Sequence, residues 1–152
     1  GDQGDVRRLS VDARLDMMQQ RFAPNQRWIS FIAVPPGDRS VAAIYVMPAS
    51  GGPWTAITDG TCYDDKPRWA PDGRTLYFIS NREGRSNVWG QRFDPDAGRP
   101  IGPAFRVTSF DRGRQVLAPY IGQLAMTVTP TRIVLPMYEA TGQIWVLDEV
   151  DR

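Results

Sequence analysis

The chain of 152 residues contains no histidine. That absence removes the usual general base, the Ser-His-Asp arrangement and most zinc sites. Cysteine is nearly absent too. Cys62 stands alone, so no disulfide forms within the chain and no cysteine metal cluster can be built, and redox compartment stays undecided. No apolar run approaches the roughly 18 residues of a membrane-spanning helix, and no signal-peptide pattern opens the chain. Lysine is almost missing as well, because Lys66 is the only one among 18 basic residues. Arginine makes forked, planar contacts to carboxylates and stacks on rings, although codon usage in a GC-rich genome accounts for the bias more simply. Formal net charge is +1, so no bulk field draws the chain to nucleic acid, an acidic membrane or an acidic substrate. The first residue is Gly1 rather than Met, which leaves room for an upstream segment in the parent protein.

What is present is a well-marked hairpin. Trp69 and Ala70 lead into Pro71-Asp72-Gly73. Proline presets φ, aspartate bonds its own backbone and glycine accepts positive φ without steric cost. Leu76 to Ser80 then form an apolar run rich in aromatic and branched residues, as suits a strand covered on both faces, before Asn81-Arg82-Glu83-Gly84 ends it.

The hairpin is repeated. Sliding the chain so that Arg68 falls on Arg21 superposes Arg21/Arg68, Ala23/Ala70, Pro24/Pro71, Arg27/Arg74, Phe31/Phe78 and Ile32/Ile79 as identities. Phe22/Trp69 and Ile29/Leu76 match in kind. A weaker third copy runs from Leu124 to Val128, through Thr129-Pro130-Thr131, to Arg132 to Leu135. Ile44-Tyr45, Val88-Trp89 and Ile144-Trp145 recur as branched aliphatic plus aromatic, predicting third strands over Ala43 to Met47, Asn87 to Phe93 and Gln143 to Leu147. Leu9-Ser10, Ile57-Thr58 and Val107-Thr108 recur likewise, predicting fourth strands over Val6 to Val11, Trp54 to Thr58 and Phe105 to Ser109.

Four short strands recurring at about 40–50 residues are the period of propeller blades. The expected fold is all-β, a partial β-propeller of four-stranded antiparallel blades. It divides into a lone fourth strand at 1–11, blades at 12–59 and 60–110, and the first three strands of a last blade at 111–152. A blade without its outer strand exposes unpaired backbone groups. The missing strand is therefore expected from the rest of the chain's own propeller or from a second copy by strand exchange. A local alternative is helical, since Leu15, Met18 and Phe22 lie three and four apart. The repeat instead favours a loop followed by a first strand there.

The segment Asp65-Lys66-Pro67-Arg68-Trp69-Ala70-Pro71-Asp72-Gly73-Arg74, then Tyr77 to Gly84, then Asn87-Val88-Trp89, resembles the TolB-type propeller repeat. Ile44-Tyr45-Val46-Met47 is similar to that repeat's third strand, and the likeness runs from Arg21 to Leu147. Ile57-Thr58-Asp59-Gly60, Trp89 to Pro95 and Thr141 to Trp145 look like the C-terminal end of large bacterial TolB-like proteins, in which the propeller follows a kinase or a winged-helix regulator. Asn25-Gln26 and Thr131 depart from the Asp-Gly pair, which predicts longer or differently shaped turns at those two places. The resemblance implies a binding and scaffolding module in the bacterial envelope, without catalytic residues, cofactor or metal. Prolyl-oligopeptidase-type hydrolases carry a similar propeller, so the accessory propeller of a hydrolase is the alternative.

Propeller ligands sit on loops at one ring face. The loops expected before each first strand are Asp12 to Gln20, Tyr63 to Pro67 and Arg112 to Pro119. Tyr63, Asp64, Asp65 and Lys66, with Arg82, Glu83 and Arg85 beside them, form the candidate partner-binding set. Against this stands the reading that Asp64 and Asp65 only satisfy backbone groups. As a catalytic pair they are poorly placed, because neighbours in a strand point to opposite faces. Asp94-Pro95-Asp96-Ala97-Gly98 resembles the start of a calcium loop but lacks its later acidic ligand, and reads better as a turn. Trp69, Trp89 and Trp145 are expected to fill space between blades. Trp28 and Trp54, outside those equivalences, are the better candidates for exposed contacts, but a packing role is the favoured reading for both.

Overall fold

The structure is a computed structural model and describes residues 6, 8, 9, 12, 14–110, 114–117 and 125–139. Strands β1 (Asp16–Phe22), β2 (Trp28–Val34), β3 (Ala43–Pro48) and β4 (Thr55–Ala56) form one antiparallel sheet in that order. Strands β5 (Asp64–Trp69), β6 (Thr75–Ser80), β7 (Asn87–Asp94) and β8 (Arg99–Arg106) form a second sheet of the same order and sense. Two short ladders follow. In these β9 (Gln115–Leu117) pairs with β12 (Met137–Glu139), and β10 (Thr127–Val128) pairs with β11 (Ile133–Val134).

Turn chemistry builds the two main hairpins in the same way. In the second sheet Ala70 N donates to Thr75 O at 2.8 Å, Gly73 N to Ala70 O at 2.9 Å and Arg74 N to Asp72 Oδ1 at 2.9 Å. In the first, Ala23 N donates to Trp28 O at 2.8 Å, Gln26 N to Ala23 O at 2.8 Å and Arg27 N to Asn25 Oδ1 at 3.0 Å. Gly73 has φ 69° and Gln26 has φ 57°. The different turn expected at Asn25-Gln26 is therefore the same turn, with glutamine forced into the left-handed region. The third copy does differ, but it is shorter. Thr129 N donates directly to Arg132 O at 2.8 Å across Pro130-Thr131.

A second repeated irregularity was not expected. The ladder of β1 on β2 shifts between Met18 and Arg21, and that of β5 on β6 between Asp65 and Arg68. Gln19 (φ 62°) and Lys66 (φ 56°) occupy the same place in the two bulges. A bulge leaves one residue outside the ladder and bends the strand, and this lets Pro67, which has no N–H, sit inside β5. The expected loops at Asp12 to Gln20 and Tyr63 to Pro67 are accordingly strand from Asp16 and from Asp64 onward. The helical alternative also falls: Met18 packs toward the second sheet, whereas Leu15 packs on the opposite side of the first. Leu15 precedes the strand, and the bulge lies between Met18 and Phe22, so the three residues share no face.

The outer strands are anchored by one device used twice. Ile57 N and Thr58 N both donate to Ile44 O, and Ile44 N donates to the Thr58 hydroxyl at 2.9 Å. Val107 N, Thr108 N, Val88 O, Val88 N and the Thr108 hydroxyl repeat that pattern, again at 2.9 Å for the last bond. The expected fourth strand at Trp54 to Thr58 is ladder only at Thr55–Ala56, while that at Phe105 to Ser109 ends at Arg106 and begins earlier, at Arg99. Of Arg112 to Pro119, expected as loop, Gln115–Leu117 is strand. Leu9 carries no strand assignment, and Ser10, Leu124, Ile144 and Trp145 lie outside the described residues.

The sheets pack face to face. Ile32, Val34, Ile44 and Val46 of the first meet Trp69, Leu76, Phe78, Trp89 and Phe93 of the second in one buried cluster. Beyond the second sheet, Ile79 and Val88 bury against Leu117 and Met126, with Ile133 and Leu135 at the margin. Trp28 packs, as favoured above. Its Nε1 donates to Pro95 O at 2.9 Å and its ring meets Phe93 edge-on at 5.6 Å. Trp54 packs on Phe31 and Tyr45, with ring centroids 4.9 and 5.5 Å away.

Candidate functional site

Tyr63 enters the second sheet through a main-chain crossing between the two sheets. Ala42 N donates to Cys62 O at 3.0 Å and Asp64 N donates to Ala42 O at 3.1 Å, a parallel bridge of Ala42 with Tyr63. On its other side Tyr63 N donates to Asn81 Oδ1 at 3.0 Å, so the loop after β6 holds the start of β5. Burial, and next the charge of Asp65, raise the Tyr63 phenol above its ordinary pKa.

Asp64, at the start of β5, is fully buried. Its Oδ1 accepts from Arg82 Nη2 at 3.1 Å. Arg82 Nε donates to the Ser80 hydroxyl at 2.9 Å, and the guanidinium lies 5.1 Å from the Phe78 ring centroid and 4.8 Å from that of Trp89. Carboxylate, hydroxyl and two rings thus fix one cation whose side chain keeps partial exposure. A planar cation held in this way can donate to a carboxylate or a carbonyl of a partner without reorganising its own side chain.

Asp65 and Lys66 satisfy each other instead. Lys66 N donates to Asp65 Oδ1 at 2.6 Å and Lys66 Nζ stands 3.3 Å from Asp65 Oδ2, both side chains almost wholly buried. A buried pair of this kind is a structural element whose removal on one side is costly. Glu83 is exposed and accepts from Arg106 Nη1 at 2.6 Å, and Arg85 is exposed. Of the seven predicted residues, the fold joins Asp64 to Arg82 and closes Asp65 on Lys66. It carries Tyr63, Arg82, Glu83 and Arg85 at its surface.

Asp94 Oδ1 accepts from Asp96 N at 2.9 Å and Ala97 N at 3.0 Å, which lowers the Asp94 carboxyl below its ordinary range. These bonds close the turn between β7 and β8. Among the described residues no group of three or more Cys, Asp or Glu is placed to hold a metal ion. Asn81, Ser80, Phe78 and Trp89 complete the setting of Arg82. Asn81 stands beside it in the loop motif, but no pattern in the sequence marked Arg106 as the partner of Glu83.

A solved structure described as a putative TolB from Agrobacterium tumefaciens matches with a TM-score of 0.56 and 20% identity, over 84% of this chain and 47% of that one. The fold is TolB-like. Sequence relatives agree over shorter stretches. The chain is 47% identical over 36 residues to the Tol-Pal system protein TolB of an Anaeromyxobacter species, which is 24% of this chain and 8% of that protein. It is 33% identical over 82 residues, 53% of its own length and 12% of the relative's, to a Bacillus subtilis protein named uncharacterized peptidase YuxL. It is 41% identical over 51 residues to the uncharacterized protein Atu1656 of Agrobacterium fabrum, 34% of the chain and 17% of that protein. The chain thus spans less than a fifth of each of these relatives. No protein-family model matches it. No helix among the described residues is long and apolar enough to cross a membrane.

Proposed function

We propose that the chain is a non-catalytic protein-binding and scaffolding module, part of a β-propeller in a larger bacterial sensor or envelope protein. Its blades are 12–59 and 60–110, flanked by a fourth strand at 1–11 and a partial blade at 111–152. The observation that carries this reading is the Arg82 guanidinium, locked by Asp64, Ser80, Phe78 and Trp89 at one edge of a rigid TolB-like sheet. Glu83 and Arg85 follow it in the same loop, Tyr63 is tied to that loop through Asn81, and Asp65 and Lys66 form a buried pair in the strand that leads from Tyr63. Such a surface suits an acidic or carbonyl-rich protein segment. With a net charge of +1 and no histidine, neither nucleic acid nor a catalytic cofactor is invoked. The propeller is completed by the rest of its own chain or by a second copy.

Immobilised chain tests this against cell extract. Arg85→Ala changes an exposed cationic side chain only, so an acidic partner retained by the unaltered chain is expected to be held less while the circular dichroism spectrum stays the same. Equal retention by both would remove the face from consideration.

The likeness to YuxL favours a second reading, the accessory propeller of a prolyl-oligopeptidase-type hydrolase. Under that reading the parent gene product contains a hydrolase domain with a nucleophilic serine and cleaves peptides.

A further inference from the structure

The first strands of neighbouring units lie side by side, β1 against β5 and β5 against β10. Counted back from the turn bonds at Ala23, Ala70 and Thr129, the residues Gln20, Pro67 and Met126 are equivalent, and the next position holds Arg21, Arg68 and Thr127. Both arginines make the same contact. Arg21 Nη1 donates to Gln20 O at 2.9 Å and Arg68 Nη1 to Pro67 O at 2.8 Å. Arg68 then reaches the next unit, its Nε donating to Met126 O at 2.8 Å. A guanidinium carries five N–H donors, so these carbonyls satisfy each one only in part. Arg21 Nε and Nη2 and Arg68 Nη2 have no acceptor among the described residues.

The two cations are also uncompensated. Among the described residues, ion pairs take Arg14, Arg27, Lys66, Arg82 and Arg106, and neither Arg21 nor Arg68 stands in one. Burial, and next the charge of Arg21, lower the Arg68 guanidinium below its ordinary value, so the two like charges act on each other. Asp65 acts on Arg68 in the opposite sense, but its carboxylate is already held by Lys66 Nζ at 3.3 Å. A chain whose formal net charge is only +1 thus concentrates two positive charges on adjoining strands. Their repulsion is relieved when an anion lies between them.

We propose that Arg21 and Arg68 form a binding site for a phosphate group, at the other end of β5 from Asp64 and separate from the face at Arg82. A compact dianion neutralises both cations at once, which a single carboxylate does not, and guanidinium forks match phosphate oxygens in pairs. Arg21 Nε and Nη2 supply two parallel donors from β1, and Arg68 Nη2 supplies a third from β5. Arg68 is already fixed by its bonds to Pro67 O and Met126 O, so little of its freedom is lost on binding. Arg21 is exposed and closes on the anion from the solvent side.

Calorimetric titration of the 152-residue chain with inorganic phosphate tests it, at constant ionic strength held by chloride and with circular dichroism as the check on folding. Saturable binding at one site is expected, with acetate bound about tenfold more weakly because it carries one charge. Arg21→Gln changes an exposed side chain, so it is expected to leave the fold intact and to weaken phosphate binding by about tenfold. The same variant relieves the repulsion on Arg68, so without phosphate its thermal midpoint is expected to equal or exceed that of the unaltered chain. Tighter binding of a short phosphoserine peptide than of inorganic phosphate supports a protein-borne phosphate, and weaker binding supports the free ion. Absence of saturable binding overturns the proposal, as does equal affinity in Arg21→Gln. An effect that chloride reproduces at the same ionic strength also overturns it, because screening alone would then account for the result. None of these outcomes touches the face at Arg82, Glu83 and Arg85, whose failure is read in the extract experiment alone.

Discussion

At Gln26 the chain adopts a backbone conformation that its neighbours impose. Its φ of 57° matches the 69° of Gly73, and the left-handed region costs a residue with a Cβ on the order of 1–2 kcal/mol. Gln26→Gly is therefore expected to raise stability by about 1 kcal/mol, less a share for the added freedom of the unfolded chain. Gly73→Ala should lower it by a similar amount, although a Cβ there would meet only Pro24 Cδ at 3.7 Å, an ordinary contact. Urea midpoints of the two variants check this, and equal midpoints for all three proteins would refute it. Lys66 shows the same economy in another form. One residue supplies the positive φ of the bulge and, through Nζ, the counter-charge for Asp65.

Elements were legible in the sequence where local chemistry and period agreed. Pro71-Asp72-Gly73 declares its turn, and the apolar runs over β2, β3, β6 and β7 declare their strands, so the order of the two sheets could be read directly. The first strands could not be placed as well. An extra residue at Gln19 or Lys66 breaks the alternation on which strand reading depends, and Asp64, Asp65 and Pro67 are residues that ordinarily mark loops. For the same reason the candidate site was half legible: Tyr63, Arg82, Glu83 and Arg85 reach the surface, whereas Asp64, Asp65 and Lys66 are interior strand residues. Trp28 packs, as the favoured reading had it, but its partners come from the other sheet and no local pattern names them. The turn at Asp94 to Gly98 folds under its ring, with Thr55 Oγ1 donating to Gly98 O at 3.1 Å. A Cβ on Gly98 (φ 67°) would fall inside the Trp28 ring. Gly98→Ala is expected to cost about 2–3 kcal/mol through overpacking and strain. Trp28→Leu in the same chain should recover part of that loss, and purely additive losses in thermal or urea unfolding would show that turn and ring are independent.

For the whole molecule, the deciding feature is that its two sheets share one core. Ile44 has no exposed surface and lies in the cluster that also contains Leu76, Phe78 and Phe93. Ile44→Ala should cost about 2–5 kcal/mol, and the cost should be felt in both sheets. Hydrogen exchange is the suitable measure, because faster exchange confined to β1–β3 would show two separately stable units, whereas loss of protection in β6 and β7 as well would show one. The candidate binding edge draws its rigidity from the same core, since Trp89 packs there and also underlies Arg82.

The main-chain crossing at Ala42 and Tyr63 has a geometric consequence. Its bonds, Ala42 N to Cys62 O and Asp64 N to Ala42 O, tie neighbouring sheets by backbone rather than by deformable side chains. The angle between the sheets is thereby set locally, and with it the curvature of any arc built from such units. An arc of fixed curvature closes at one circumference, and a partner that joins it has to continue the same bend.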